Sequence, residues 1–275
     1  MSSSEHSSSD ESSNIEAVEG IYSAVAPNEF GIIDKCLADL SVSVPEHSGD
    51  KFKRAEKYGH IVHHSSGACI LAEGTKIADG QYLAADGSHI FHVSPDLSVS
   101  DVTEIDSSLL NSSRTEFVSD LESVLAQYTA EYYKRGKFCI VNLAGRPLQI
   151  LFSAAVVNQD SSYTGQWFSV YTFSDDLTKI TPIVLPYVHL FESGNVHLRG
   201  IYPAKAKEQS LSEASATAVL AFIKKFEVDY IKNVQDLWES LNEKVLKTFR
   251  RKLPVFKKKI DWTSIASLRM RIPHK

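Results

Sequence analysis

The sequence predicts an α+β protein built around an antiparallel sheet. Apolar residues recur at helical spacing near both ends of the chain, whereas the middle consists of apolar or alternating runs joined by short turns. No helical segment separates the runs between residues 138 and 199, so these strands are expected to form an antiparallel meander rather than a parallel sheet. A chain of 275 residues, 43% of them apolar, can bury a substantial core.

The beginning of the chain predicts a polar extension followed by short helices. Residues 1–14 are expected to be disordered, because residues 2–13 hold eight Ser and three acids and no apolar side chain. Residues 15–60 have apolar side chains at helical spacing in three stretches: one before Pro27, a second that ends near Pro45, and a weaker third at Phe52, Ala55 and Tyr58. Three short helices indicate a helical hairpin or small bundle.

Residues 61–110 predict a small β region. Glycine-containing turns separate its short strands, and the residues after Ser94 look like a polar loop. The expected strands are Ala68–Ala72, Gln81–Ala84 and Ile90–Ser94.

Residues 111–209 predict one helix followed by the central sheet. Apolar side chains of Ser113–Tyr133 fall on one helical face. The turns after it contain Gly, Pro, Asp and Asn, the residues that tight turns favour. Five strands are expected: Phe138–Leu143, Leu148–Val157, Gln166–Phe173, Ile180–Phe191 and Val196–Arg199.

A long helix is expected over residues 210–252. Ser210-x-x-Glu213 matches a capping box, and neither Gly nor Pro occurs between Pro203 and Pro254. Some 40 helical residues at ~1.5 Å each span roughly 60 Å, more than the diameter of a small domain. The helix is therefore expected to lie across a sheet wider than one chain can supply, which points to a partner subunit.

The chemistry-bearing residues do not form a recognisable catalytic or metal site. Nucleotide-binding, serine-hydrolase and zinc-protease motifs are absent. His60, His63 and His64 cluster without a nearby Cys or carboxylate, and Cys139 lies in an apolar run that reads as core. We expect a protein that is not an enzyme and needs no cofactor or metal.

Three cysteines, an odd number without paired spacing, favour a reducing compartment over a disulfide framework. The amino-terminal residues do not resemble a signal peptide, and no run of 18 apolar residues occurs. The sequence therefore predicts a soluble cytoplasmic protein.

The last 32 residues, Lys244–Lys275, are called the basic tail here. They hold eleven Lys or Arg and one acid, Asp261, whereas the residues before them hold 18 basic and 33 acidic side chains, a net charge of −15. Pro254 must end or kink the helix, so the residues after it can leave the body of the protein.

Large apolar residues alternate with the cations of the basic tail. Apolar anchors in a cationic field suit a protein groove with an acidic rim or an anionic membrane surface. A purely electrostatic nucleic-acid tail would not need Phe256, Trp262 or Leu268. A solvated helix end that only keeps the protein soluble is the remaining reading.

Several stretches resemble the F-actin-capping protein alpha subunit family. Three family motifs are similar to Val188–Val196, Thr164–Trp167 and Ala26–Phe30. Two shorter stretches, Gly80–Leu83 and Phe138–Val141, fall at matching places in the order of the family sequence. The carboxyl-terminal family signature is matched at Arg250, Arg251, Leu253, Pro254, Val255, Lys259, Ile260, Asp261 and Trp262.

The resemblance implies an alpha/beta heterodimer that caps the barbed end of actin filaments. The implied fold has a helical stalk over residues 15–60, an antiparallel sheet completed by the beta subunit, a long helix across that sheet, and a mobile actin-binding tentacle over residues 253–275. Anionic phosphoinositides and capping-protein regulators are further partners that it implies, in the cytoplasmic actin cytoskeleton; nucleic acid is not expected. The actin-binding residues implied or expected are Lys247, Arg250, Arg251, Lys252, Leu253, Phe256, Lys257, Lys258, Lys259, Ile260 and Trp262.

Four positions depart from the family pattern. Lys257 stands where the family has Arg, so the charge remains without the bidentate fork of a guanidinium. Phe256 adds an apolar anchor, Ser193 replaces Asp, and Phe168 replaces Arg after Trp167. The alternative function is a basic-tail module that binds an anionic membrane or nucleic acid without capping actin.

Overall fold

The computed structural model describes residues 16–42, 49–158, 163–190, 196–199 and 208–240. Two compact units divide the chain, Met1–Phe222 and Ile223–Lys275. The division falls within one continuous helix, the last described element. Among the described residues, no helix is long and apolar enough to span a membrane.

Three short helices begin the described chain, as the apolar spacing predicts. Helix α1 covers residues 16–24, a 3-10 turn covers Pro27–Glu29, α2 is Phe30–Asp39 and α3 is Gly49–Lys57. The buried side chains from this region include Val18, Tyr22, Phe30, Leu37 and Ala55, which join one apolar cluster with the small β region. Two residues of the predicted α2 stripe face outward: Cys36 is exposed and Leu40 is 73% exposed.

The small β region forms two sheets with six strands, three more strands than the sequence predicts. A two-stranded ribbon pairs β1 with β2, and a four-stranded antiparallel sheet has the order β3-β4-β5-β6. The six strands are Ile61–His64, Gly67–Ile70, Lys76–Ala78, Gln81–Leu83, His89–Val93 and Val99–Glu104.

Strand β6 contradicts the expected polar loop after Ser94. None of its side chains is buried, so the apolar alternation that marks a strand is weak. Its backbone pairs with β5 from His89↔Glu104 to Val93↔Val99, with one register irregularity. Pairing at a sheet edge, and not side-chain burial, makes this segment a strand.

The main sheet is the antiparallel meander that the sequence predicts. The order β11-β10-β9-β8-β7 follows the chain from one edge to the other, and β12 also pairs with β10. Every described pairing in it is antiparallel. Its strands are Lys137–Val141, Gln149–Asn158, Tyr163–Phe173, Lys179–Leu190, Val196–Arg199 and Gln209–Ser210.

One face of the main sheet carries buried aromatic side chains that pack against helix α4. Helix α4, Thr115–Tyr132, buries Leu121, Leu125 and Tyr128 and contacts β7. Tyr128 meets the ring of Phe152 edge-on at 6.0 Å, and Phe152 meets Tyr171 edge-on at the same distance. These edge-to-face pairs add to the stabilisation from apolar burial.

The last described helix, α5, is Ala216–Ser240 and begins later than the sequence predicts. Ser210 does not cap it, because Ser210 lies in β12 and pairs with Lys179. Ser215 is the cap instead: its Oγ accepts a hydrogen bond from the N–H of Ala218 at 3.2 Å. Sheet pairing therefore displaces the helix start by six residues from Ser210 to Ala216.

Candidate functional site

The predicted actin-binding residues lie outside the residues that the structure describes. They are Lys247, Arg250, Arg251, Lys252, Leu253, Phe256, Lys257, Lys258, Lys259, Ile260 and Trp262. Helix α5 is the described element that precedes them in the chain. Val219, Ile223, Phe226 and Tyr230 are buried along it at spacings of four, three and four, which is the apolar stripe of an amphipathic helix.

Three motifs that are distant in sequence meet at one place in the structure, called the motif junction here. It joins the turn Ala26–Phe30 to the beginning of β9 and the end of β10. Glu29 is 4% exposed, and its Oε1 accepts a hydrogen bond from Thr164 Oγ1 at 2.7 Å and lies 2.5 Å from His189 Nδ1. Its Oε2 accepts from the Ala26 N–H at 2.8 Å.

A second set of contacts ties α1 to the outer strands at the motif junction. The Tyr187 hydroxyl donates to the Ala24 carbonyl at 3.2 Å and lies 2.7 Å from His197 Nδ1. The rings of His189 and His197 stack at 4.0 Å between centroids, 15° from parallel. Strands β10 and β11 place these two histidines opposite one another.

Amide side chains complete the motif junction. Asn28 Nδ2 donates to the Val156 and Gly165 carbonyls at 3.3 and 3.4 Å. Gln166 Nε2 donates to the Tyr58 carbonyl at 2.7 Å, which links β9 to the end of α3. The helical segment and the main sheet are thus joined by a polar network, whose loss would leave buried groups unpaired.

The Glu29–His189 pair was not found from the sequence. Both residues belong to recognised motifs, but 160 positions separate them, and a single sequence does not show which motifs touch. The pair brings a buried carboxylate within hydrogen-bond distance of an imidazole, and the Thr164 hydroxyl lies within the same reach of that carboxylate. Its chemistry is suited to holding two elements together.

Strands β11 and β12 both pair with β10 on the side away from β9. Tyr187 pairs with Arg199 of β11, and Ile180 pairs with Gln209 of β12. Six residues of β10 lie between these two pairings. β10 carries Pro182 in that stretch, and proline, which lacks an N–H, is confined in sheets to edges and irregularities.

The four residues that depart from the family pattern do not lie together. Phe168 is 4% exposed and belongs to the apolar cluster between the main sheet and the small β region. A Cβ on Gly59 would lie 2.1 Å from the Phe168 ring, so this ring requires a glycine opposite it. Ser193, Phe256 and Lys257 lie outside the described residues.

Burial shifts the pKa values of Cys69, Cys139 and His60. Burial raises the pKa of the Cys69 thiol to about 12 and also raises that of Cys139, so both are protonated core residues at neutral pH. Burial, followed by the charges of His63 and Lys51, lowers the pKa of His60 to about 4. His60 is therefore a neutral side chain, 6.2 Å from the Phe30 ring.

The predicted turn at Asp175 and Asp176 is confirmed. Asp176 accepts hydrogen bonds from the Ser174 and Thr178 hydroxyls at 2.6 and 2.8 Å and from the Thr178 N–H. These bonds favour the charged carboxylate and lower its pKa to about 2. The carboxylate stabilises the loop between β9 and β10, as Asp commonly does in turns.

Comparison with known proteins identifies one family. The family model of the F-actin capping protein alpha subunit matches residues 38–272. An F-actin-capping protein subunit alpha of Neurospora crassa is 23% identical over 267 residues, covering 94% of this chain and 95% of the relative. That of Dictyostelium discoideum is 25% identical over 225 residues, covering 76% and 77% of the two chains.

A solved structure has the same fold. It is a homodimeric actin capping protein alpha subunit from Plasmodium berghei, with a TM-score of 0.53 and 15% sequence identity. The match covers 89% of this chain and 92% of that one. At this identity the likeness establishes the α+β fold with its antiparallel sheets.

Proposed function

This chain belongs to the F-actin capping protein alpha subunit family, and we propose from that premise that it pairs with a beta-type subunit and caps the barbed ends of actin filaments. The family is one of structural, actin-binding proteins rather than a known enzyme family. Capping blocks both the addition and the loss of subunits at that end. The pair acts in the cytoplasm, on the actin cytoskeleton.

The observation that carries the proposal is the composition of the basic tail. Eleven cations and one acid follow an acidic body, and the cations alternate with large apolar side chains. An acidic protein surface attracts such a segment over distance and then accommodates its apolar anchors. The family match extends through Ile272 and so includes this composition.

Each group of tail residues has a proposed role. Lys247, Arg251 and Lys257 make the main charge-assisted contacts with actin carboxylates. Arg250, Lys252, Lys258 and Lys259 strengthen the field that speeds association. Buried area comes from Leu253, Phe256, Ile260 and Trp262. A charge-assisted hydrogen bond contributes ~1.5–3 kcal/mol when it is desolvated, whereas an exposed pair contributes ~0–1 kcal/mol.

The beta-type subunit is proposed to extend the main sheet beside β11. β11 has only four residues and is the outermost described strand on that side. At the opposite edge, β7 already contacts α4 and β2. An added strand would satisfy the outward backbone groups of β11 and protect an edge that otherwise invites aggregation.

Self-pairing is the second candidate assembly, because the Plasmodium berghei relative is described as homodimeric. Solubility, co-expression and light scattering distinguish the two assemblies. If the chain requires a beta-type subunit, it should be poorly soluble when expressed alone and should form a 1:1 complex on co-expression. A stable dimer of this chain alone, measured by light scattering, would favour self-pairing.

Barbed-end elongation tests the function. The co-expressed pair should slow the growth of pyrene-labelled actin from filament seeds. A chain that stops after Phe249 should do so at least about a hundredfold less tightly, because two or more contacts worth ~1.5–3 kcal/mol each are lost. Capping affinity that survives this truncation would exclude the tail mechanism, and elongation that the intact pair does not slow would exclude the function.

A module that binds an anionic membrane or nucleic acid is the competing function for the same tail. Cosedimentation with phosphatidylserine vesicles, with DNA and with actin filaments, run side by side, separates these possibilities. Phosphoinositide binding that competes with capping would fit regulation of the proposed activity. Binding to vesicles or DNA without any effect on actin would contradict it.

A further inference from the structure

We propose that a groove on the main sheet binds an acidic segment of a partner protein that also carries apolar side chains. The groove, called the basic groove here, lies on the face of β8, β9 and β10 opposite the aromatic face and has a volume of about 500 Å³. Helix α3, residues 72–74 and the turn between β7 and β8 form its walls. It is remote in sequence from the basic tail, and its test does not depend on capping.

The floor of the basic groove is apolar and incompletely covered. Val170, Ile183 and Leu185 line it, and all three are only partly buried. On the opposite face of the same strands, Tyr171 and Val184 are fully buried. Neighbouring residues of one strand thus differ sharply in burial, and the groove side retains apolar surface that a partner can cover.

One polar pair lies within this apolar floor. Gln149 Nε2 donates to Thr172 Oγ1 at 3.0 Å, and both residues line the groove. The amide and hydroxyl groups can hydrogen-bond the backbone of a docked peptide. Apolar pockets with a few polar groups are typical of peptide-binding sites.

Three cations surround the groove without carboxylate partners. Lys53 and Lys57 are exposed on α3, four residues apart and so on one side of the helix, and Arg146 lies across the groove. In the part of the chain that the structure describes, none of the three forms an ion pair. Arg146 donates to the Lys76 carbonyl at 2.7 Å, which fixes the guanidinium without neutralising it.

Glu56, one of the two acids that line the groove, already contacts another lysine. Glu56 Oε1 accepts from the Tyr82 hydroxyl at 2.8 Å and lies 3.9 Å from Lys76 Nζ. The hydrogen bond that Lys76 donates to Asp79 and, after it, the charge of Glu56 raise the pKa of Lys76. The charge of Lys53, Lys57 and Arg146 is left for an anionic ligand.

This charge arrangement favours a peptide over a lipid headgroup. A polyanionic headgroup would have to sit beside Glu56 and Glu73, which line the same groove. An acidic peptide places separate carboxylates at the cations and can offer backbone N–H groups to the two glutamates. Its apolar side chains cover the floor, and charge complementarity fixes its register.

Fluorescence anisotropy tests the proposal with a short fluorescein-labelled peptide that alternates Glu with Leu, added to the full chain alone and co-expressed with its beta-type subunit. A peptide that alternates Lys with Leu is the control ligand. The acidic peptide should bind and the basic one should not. Equal binding of both would show that apolar contact alone is responsible and would overturn the proposal.

Matched variants locate the binding. Lys57→Glu with Arg146→Glu should weaken the acidic peptide at least about tenfold, a loss of ~1.4 kcal/mol. Lys35→Glu with Lys134→Glu makes the same change in net charge at exposed positions outside the groove and should change binding less than twofold. If both pairs weaken it alike, the groove is not the site. The neutral pair Lys57→Gln with Arg146→Gln serves if the reversed pair unfolds, and it should weaken binding at least threefold.

Two further arms can overturn the proposal. Thr172→Trp should fill the groove and abolish peptide binding with all cations present. Vesicles of phosphatidylserine and phosphatidylcholine should bind the wild type and the groove variants equally; if only vesicle binding depends on Lys57 and Arg146, the ligand is a lipid. If the peptide binds the chain alone but not the pair, the second subunit covers the groove and no docking surface is free.

Discussion

The body of the protein, residues 16–240, and the basic tail use charged side chains in different ways. In the body, several cations pair with acids within the fold: Lys51 Nζ lies 3.0 Å from Asp34, and Lys76 Nζ lies 2.9 Å from Asp79. The tail has eleven cations and one acid of its own. Charges that a segment cannot balance locally are available to a partner.

We propose that this difference separates residues that stabilise the fold from residues that bind actin. Substitutions at the motif junction and in the core should change the free energy of unfolding and leave capping by the folded protein unchanged. Substitutions in the tail should do the reverse. Urea denaturation measures the effect of a substitution on stability, and barbed-end elongation measures its effect on capping.

The largest effect is expected for Glu29→Ala. It removes the acceptor for Thr164 and the Ala26 N–H and the partner of His189, at a cost of ~3–5 kcal/mol for breaking a buried pair. Urea denaturation measures the change, and Glu29→Gln should recover part of it. Loss of less than about 1 kcal/mol would show that the network contributes little to stability.

The next effect is a loss of stability in acid caused by His60. Its folded pKa of about 4 lies below the ordinary value near 6.5. Above pH 6.5 the side chain is neutral in both states; between pH 6.5 and 4 the unfolded chain takes up a proton that the folded chain does not. Stability should therefore fall as the pH falls through this window, by about 3 kcal/mol in total.

Urea midpoints measured from pH 7 to pH 4 check the His60 contribution. His60→Gln should flatten the pH dependence, and His63→Gln should flatten it less, because the charge of His63 adds to burial in lowering the pKa of His60. An identical slope in the His60 variant would contradict the assignment.

Gly59→Ala should cost about 2–3 kcal/mol, since it combines backbone strain with overpacking. Gly59 has φ +64°, and its added Cβ would meet the Phe168 ring at 2.1 Å. Gly87→Ala is the matched control, because Gly87 has φ +71° but nothing within 4 Å of an added Cβ. The difference between the two losses of unfolding free energy measures the clash with Phe168. Equal losses would show that backbone strain alone causes the destabilisation.

The smallest effect is expected in the tail. Lys257→Arg restores a bidentate fork and should tighten capping two- to fivefold, ~0.4–1 kcal/mol, without a change in the urea midpoint. Barbed-end elongation at a series of protein concentrations gives the affinity. If the free energy of unfolding changed as much as the free energy of binding, the proposed separation between stabilising residues of the body and binding residues of the tail would be wrong.

The sequence predicted the periodic parts of the fold and missed those set by long-range pairing. The central strands follow the predicted order because their apolar alternation is strong. β6 was missed because its side chains are not buried, and the start of α5 was misplaced because β12 pairs Ser210 with Lys179. Local patterns do not contain that information.

The same limit applies to the candidate sites. Glu29 and His189 both lie in motifs recognisable in the sequence, yet their contact depends on the folded chain. The basic groove combines Lys57 on a helix with Arg146 in a distant turn, and no spacing rule joins them. The basic tail was identifiable because its charge and apolar anchors are continuous in sequence.

The most direct test of the account compares two triple charge reversals in the co-expressed pair. Lys247→Glu, Arg251→Glu and Lys257→Glu change the tail; Lys35→Glu, Lys134→Glu and Lys137→Glu make the same charge change at exposed positions of the body. Barbed-end affinity should fall at least about a hundredfold for the tail variant and less than about threefold for the body variant. Equal losses, or a tail variant that caps normally, would contradict the claim that this chain caps actin through its basic tail.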